Sequence, residues 1–128
     1  MSLKLDMFAA EENPRTCEAG EVIFRAMDMG AEMYVVLEGQ VELTIGSTSL
    51  ETLGPGEPFG EMALIDQTPR VATATAKTPC KLAVIPERRF LFLVQTTPYF
   101  ALQIMKVMAD RLRKMNERAL AAIAREKA

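Results

Sequence analysis

The sequence predicts a mainly β domain completed by helices, and three observations predict it. Between Cys17 and Pro86 short apolar runs alternate with turn residues, the pattern of antiparallel strands. After Pro86 the apolar spacing becomes helical, and neither Gly nor Pro interrupts the stretch from Tyr99 to the chain end. The chain has 128 residues, 49% of them hydrophobic, enough for one core and too few for two domains of ordinary size.

The elements follow in order. Met33 to Leu37 is an apolar run that Glu38-Gly39, a pair suited to a tight hairpin, joins to the next strand. In that strand Val41, Leu43 and Ile45 alternate with Glu42 and Thr44, so one face is expected in the core and the other in water. Gly46-Ser47 turns the chain into Thr48 to Leu53. Ala72 to Ala76 and Cys80 to Ile85 read as two further strands separated by Lys77, Thr78 and Pro79. Strands of this length and spacing make a barrel, a roll or a sandwich. Glu87 opens a first helix with Phe90, Leu91, Leu93 and Val94 on one face. Thr97-Pro98 places a capping hydroxyl before a proline at the first position of the second. There Met105, Met108, Leu112, Met115, Ala119 and Ala122 recur at spacings of three and four, as in a helix that pairs with a second copy or packs on its own domain.

Composition excludes several classes of chemistry. No histidine is present, which removes Ser-His-Asp and Cys-His catalysis and any histidine-ligated metal; neither catalytic residues nor a metal site are expected. The two cysteines, Cys17 and Cys80, lie far apart and read as reduced, buried thiols. Residues 1–69 carry three basic and thirteen acidic side chains, and residues 70–128 carry twelve basic and four acidic, so the net charge of -2 conceals a segregation of sign. A last helix with solvated Lys and Arg accounts for it. No apolar run approaches the roughly 18 residues of a membrane span, and the start, MSLKLDMFAAEENP, has no cationic segment ahead of a long apolar one, so a cytoplasmic protein is expected.

The segment from Gly54 to Ala76, GPGEPFGEMALIDQTPRVATATA, fits neither a strand nor a long helix. Gly54-Pro55-Gly56 makes a turn, Gly60 permits close backbone approach, and Glu61 to Leu64 can wind into one helical turn with outward N–H groups. Arg70, after the Thr68-Pro69 bend, can reach the same place and grip a phosphate through two parallel hydrogen bonds. Glu61 cannot bind that phosphate, but it can accept from a sugar hydroxyl, and ribose with phosphate describes a nucleotide. In isolation Glu61 and Arg70 read as a salt bridge pinning a loop, and within the full segment, with its glycine, small Ala63 and Pro69, they read as ligand groups. Phe59 and Leu64 are expected to pack this segment against the strands.

The stretch FGEMALIDQTPRVATATA resembles the phosphate-binding cassette of the cyclic-nucleotide-binding family, which includes catabolite-activator regulators, protein kinase A regulatory subunits and cyclic-nucleotide-gated channels. GEVIF from Gly20 to Phe24 and MYVVLEGQVEL from Met33 to Leu43 are similar to that family's early strands. The resemblance implies one domain over 1–128: a β-roll of jelly-roll type over about 15–86, with the cassette at 58–73, flanking helices at 87–97 and a long C-terminal helix at 98–127. It implies Glu61 at the ribose 2'-hydroxyl, Arg70 at the cyclic phosphate, the backbone N–H groups of Ala63 and Val71 as further donors, and Gly60 and Met62 in the same shell. A side chain between Arg111 and Met115 is implied at the base. Val71 stands where relatives often carry Ala, Ser or Thr, and without a hydroxyl that can favour guanine the choice leans to cAMP over cGMP. Met27-Asp28 stands where the family usually has a glycine before an acidic residue, in a loop expected to lie outside the pocket.

The expected function is a cAMP sensor, not an enzyme, that signals through its C-terminal helices to a protein effector, with a homodimer through the last helix as one arrangement and no cofactor beyond the ligand. The alternatives are a degenerate roll serving interaction or dimerisation, and the sensory half of a catabolite-activator-like regulator. Such regulators carry a helix-turn-helix after the long helix; none follows Ala128, so sequence-specific DNA binding is not expected.

Overall fold

A computed structural model describes Phe8 and residues 11–127, so the expectations about the extreme N-terminus lie outside the described residues. Eight strands run as β1 (Arg15–Cys17), β2 (Val22–Phe24), β3 (Glu32–Glu38), β4 (Val41–Ile45), β5 (Thr48–Leu53), β6 (Pro58–Phe59), β7 (Thr73–Ala76) and β8 (Cys80–Pro86). A helical turn, α1 (Met62–Ile65), sits between β6 and β7, and α2 (Glu87–Thr96) and α3 (Pro98–Lys127) close the chain. The strands form two four-stranded sheets, ordered β1-β8-β3-β6 and β2-β7-β4-β5, with every pairing antiparallel. This is the β-roll with flanking helices that the resemblance implies.

One local expectation fails. Glu38-Gly39 does not close a hairpin, because β3 pairs with β8 and β6 while β4 pairs with β5 and β7. Gly39 does adopt a left-handed conformation, φ +87°. The chain then turns a corner between sheets, fastened by Lys77 N–H donating to Gln40 O at 2.9 Å and Gln40 N–H donating to Thr78 Oγ1 at 2.9 Å. A Cβ at Gly39 would collide with the Pro79 carbonyl oxygen, so the corner needs a glycine.

The first sheet is buried on both faces, which is why β3 reads as a continuous apolar run. Tyr34 and Val36, with Leu82 and Cys80 of β8, point into the roll and meet Ile23, Val41, Leu53, Phe59, Ala74 and Ala76. Met33 and Val35, with Ala83 and Ile85, point out of it and meet Phe8, Leu64, Phe90, Phe100 and Ile104. Phe59 therefore packs in the roll as expected, whereas Leu64 packs with the helices on its outer face. Cys17 and Cys80 are free, buried and opposite one another across β1 and β8.

Three surface assignments also shift. Ile45, at the end of its hairpin arm, is 46% exposed, so the alternation begun at Val41 fades along β4. In α2 only Phe90 is buried and Leu93 partly so; Leu91 and Val94 face outward. Thr97 serves the α2–α3 junction through its backbone, donating to Leu93 O and accepting from Phe100 N–H, both at 2.8 Å, and its hydroxyl makes no cap bond among the described residues.

Candidate functional site

The Gly54 to Ala76 segment folds against both the roll and the last helix, and it brings Glu61 and Arg70 inside the protein. Glu61 is 3% exposed and Arg70 5%. They are not each other's partners, which disposes of the simple loop-pinning pair.

Arg70 is held by backbone. Its Nη1 donates to Gly60 O and its Nη2 to Glu32 O, both at 2.7 Å, and its guanidinium carbon lies 4.1 Å from the centroid of Phe24. Among the described residues no carboxylate forms a salt bridge with it, and its Nε is buried without a hydrogen-bond partner. Burial draws this guanidinium below its ordinary value, opposed by Tyr34, Glu32, Asp28 and Glu61 nearby. A cation in such a place is short of one anion. Gly60 adopts φ +80°, presenting its carbonyl to Nη1, and a Cβ there would lie 2.8 Å from that atom.

The loop of Met27 and Asp28, expected outside the pocket, is its back wall. Met27 N–H donates to Arg70 O at 2.7 Å and Arg70 N–H to Asp28 O at 2.8 Å, so the loop clamps the arginine's own backbone. Met27 adopts φ 76°, the left-handed geometry that suits glycine, the residue the resemblance implies at this position. Two residues further on, Gly30 lies under the guanidinium with no room for a side chain.

Glu61 faces the other way, toward α3. Its Oε1 accepts from Nη1 of Arg111, whose Nη2 donates to Pro58 O. Arg111 Nε also lies 3.3 Å from Oε2 of Glu51 on β5. Of the span from Arg111 to Met115 implied at the base, Arg111 is thus the side chain that reaches the cassette, while Leu112 and Met115 are exposed. Arg118, two turns on, donates from Nη2 to Leu50 O at 2.8 Å. Phe100, Ile104, Val107, Arg111 and Arg118 share one helix face at spacings of four, three, four and seven. That face is apolar over the sheet and becomes cationic where it meets β5 and the cassette.

The remaining expected residues divide. Ala63 is buried, and the N–H groups of Met62 and Ala63 donate to no backbone carbonyl among the described residues. Met62 is 43% exposed and Val71 66%, which leaves to each its backbone or an edge of the pocket. Sequence reasoning missed Gly30, Glu51 and the Glu32 carbonyl, which are remote in sequence from the cassette and belong to no motif, and it read Phe24, the end of GEVIF, only as part of a strand. No group of His, Cys, Asp and Glu able to hold a metal occurs among the described residues, and no helix there is long and apolar enough to cross a membrane.

Known proteins share this fold. The family model described as the cyclic nucleotide-binding domain matches residues 14–97. A cyclic AMP receptor protein of Thermus thermophilus is 33% identical over 116 residues, 87% of this chain. The chain spans 54% of that receptor's length, about half. Among solved structures, the catabolite activator protein of Thermus thermophilus superposes with a TM-score of 0.77 at 32% identity, over 91% of this chain and 58% of that one. A c-di-GMP responsive global regulator of Xanthomonas campestris superposes with a TM-score of 0.76 at 27% identity, over 89% of this chain and 60% of that one.

Proposed function

Because the chain belongs to the cyclic nucleotide-binding domain family, we propose that it is a cAMP receptor in which the cyclic phosphate binds at Arg70 and the ribose 2'-hydroxyl at Glu61. The observation that carries this reading is the buried Arg70 guanidinium: two carbonyls hold it, no carboxylate neutralises it among the described residues, and its Nε has no partner. A phosphate oxygen supplies both the charge and the acceptor. Glu61 Oε2 makes no hydrogen bond among the described residues and offers a place for a sugar hydroxyl. Gly60, Met62, Ala63 and Val71 complete the shell through their backbone, and no cofactor beyond the nucleotide is required.

The signal leaves through α3. Arg111 joins the cassette to that helix, so a ligand that competes for Glu61 or pulls on the cassette changes how α3 docks, and the shift in population equals the ligand's preference for one docking over the other. A second reading, an interaction or dimerisation module, is favoured by the exposed apolar stripe on α3 and is compatible with the first.

Calorimetric titration with cAMP, cGMP and c-di-GMP of protein freed from co-purified nucleotide tests the receptor reading. Saturable binding with cAMP ahead is expected, and Arg70→Ala should weaken it by about 2–5 kcal/mol. Binding led by another nucleotide would replace the ligand, and no binding would leave the module reading.

A further inference from the structure

We infer that Glu51, a β5 residue outside the cassette, is a positioning residue for ribose recognition and acts by aiming Arg111 at Glu61. The inference rests on the reading of Glu61 as the ribose acceptor. Arg111 spans three structural units with one guanidinium: Nη1 on the cassette carboxylate, Nη2 on the β6 carbonyl of Pro58, and Nε beside Glu51. Its Nε lies beside Glu51 Oε2 without an aligned hydrogen bond, so charge draws that edge of the guanidinium toward β5. Glu51 and Arg111 are only about a quarter exposed, at 24% and 21% of their side chains, so solvent screens the pair incompletely.

The three contacts define a plane. A guanidinium is rigid, so a pull on its Nε edge from the β5 side biases where the two Nη atoms point. With Glu51 in place the Nη pair lies against Glu61 Oε1 and Pro58 O, and Glu61 is turned so that Oε2 stays open. Arg118 on Leu50 O, the residue before Glu51, anchors the same strand to the same helix face two turns along. With Glu51 neutral, Arg111 keeps its attraction to Glu61 but loses the contact that sets its direction, and it can close over both carboxylate oxygens. Bidentate closure is the geometry arginine favours on a free carboxylate. The ribose hydroxyl would then lose its acceptor while the phosphate grip at Arg70 remains.

The test compares cAMP with 2'-deoxy-cAMP by calorimetry on wild type, Glu51→Gln, Arg111→Met and the double variant, each first checked for an unchanged melt. Glu51→Gln should weaken cAMP roughly tenfold and 2'-deoxy-cAMP by less than about twofold, and it should have no effect in the Arg111→Met background. A loss in Glu51→Gln that is equal for the two nucleotides, or that persists without Arg111, or no loss at all, overturns the positioning role while leaving the receptor reading intact. Failure of wild type to bind either nucleotide overturns the receptor reading, and this inference with it.

Discussion

A methyl group at position 30 would overlap the Arg70 guanidinium at Nε, Cζ and Nη2 alike. The backbone at Gly30 is not left-handed, so Gly30→Ala can keep the loop while displacing the arginine from Glu32 O and the Phe24 ring. Overpacking of this kind typically costs about 1–3 kcal/mol, and here it should appear as lost nucleotide affinity with circular dichroism unchanged. Unaltered affinity in a folded variant would mean that Arg70 is not the anion site. Gly60 was legible in the sequence because it stands beside Glu61 in a motif. Gly30 was not, because its role exists only where a loop forty residues upstream meets the arginine.

At the scale of elements, α3 is two helices in one. Its first turns bury Phe100, Gln103, Ile104 and Val107, but from Leu112 onward nearly every residue is exposed. The periodic stripe read from the sequence therefore splits. Met108 packs on the helix-side core, while Met105 and Leu112 at 59% and Met115 at 63% exposure are left uncovered by the described domain. Packing back on the domain does not account for that part. If the stripe joins two copies, Leu112→Glu with Met115→Glu should shift sedimentation from dimer to monomer and leave cAMP affinity within about twofold, since neither side chain enters the ion-pair network. A wild-type monomer at high concentration would set self-association aside. Helix existence was legible because spacing is local. Which of five successive residues meets the cassette was not, because that depends on how α3 is rotated on the sheet. The β3–β4 corner was misread for a related reason: a glycine turn looks the same whether the next strand pairs beside the first or crosses to another sheet.

The whole molecule is organised about a sheet with two buried faces, and this gives it an alkaline limit. Tyr34, 3% exposed, donates to Glu32 Oε1 at 2.6 Å, and burial, with that hydrogen bond next, pushes its hydroxyl up to about 12 from 10.0. The folded state thus keeps a proton that the unfolded chain releases. The resulting stability is full below pH 10 and is lost as pH rises toward 12, by about 2–3 kcal/mol. Denaturant melts at pH 9, 10 and 11 should show this decline above pH 10, and Tyr34→Phe should flatten it. Cys17, whose thiol burial also pushes upward, contributes a decline in the same direction from lower pH in both proteins. A slope identical in the two would show that Tyr34 does not hold its proton on folding. The general architecture was legible because two periods, one of strands and one of helices, divide the chain at Pro86. The double burial of the first sheet was hinted at only by the unbroken apolar run in β3.

The grip on Arg70 by the carbonyls of Gly60 and Glu32 has a consequence for descent with modification. Every amino acid brings the same carbonyl, so replacing Glu32 removes a carboxylate and leaves the acceptor for Nη2 in place. Apart from loss of the arginine itself or of the Phe24 ring beside it, this half of the site is damaged by added atoms, at positions 30 and 60, and scarcely by subtracted ones. The half built from Glu61, Arg111 and Glu51 consists of side chains, and any one of them can be deleted by a single substitution. Lineages that diverge from this chain should therefore keep a capacity to hold a small anion long after they have changed, or abandoned, the sugar and base attached to it.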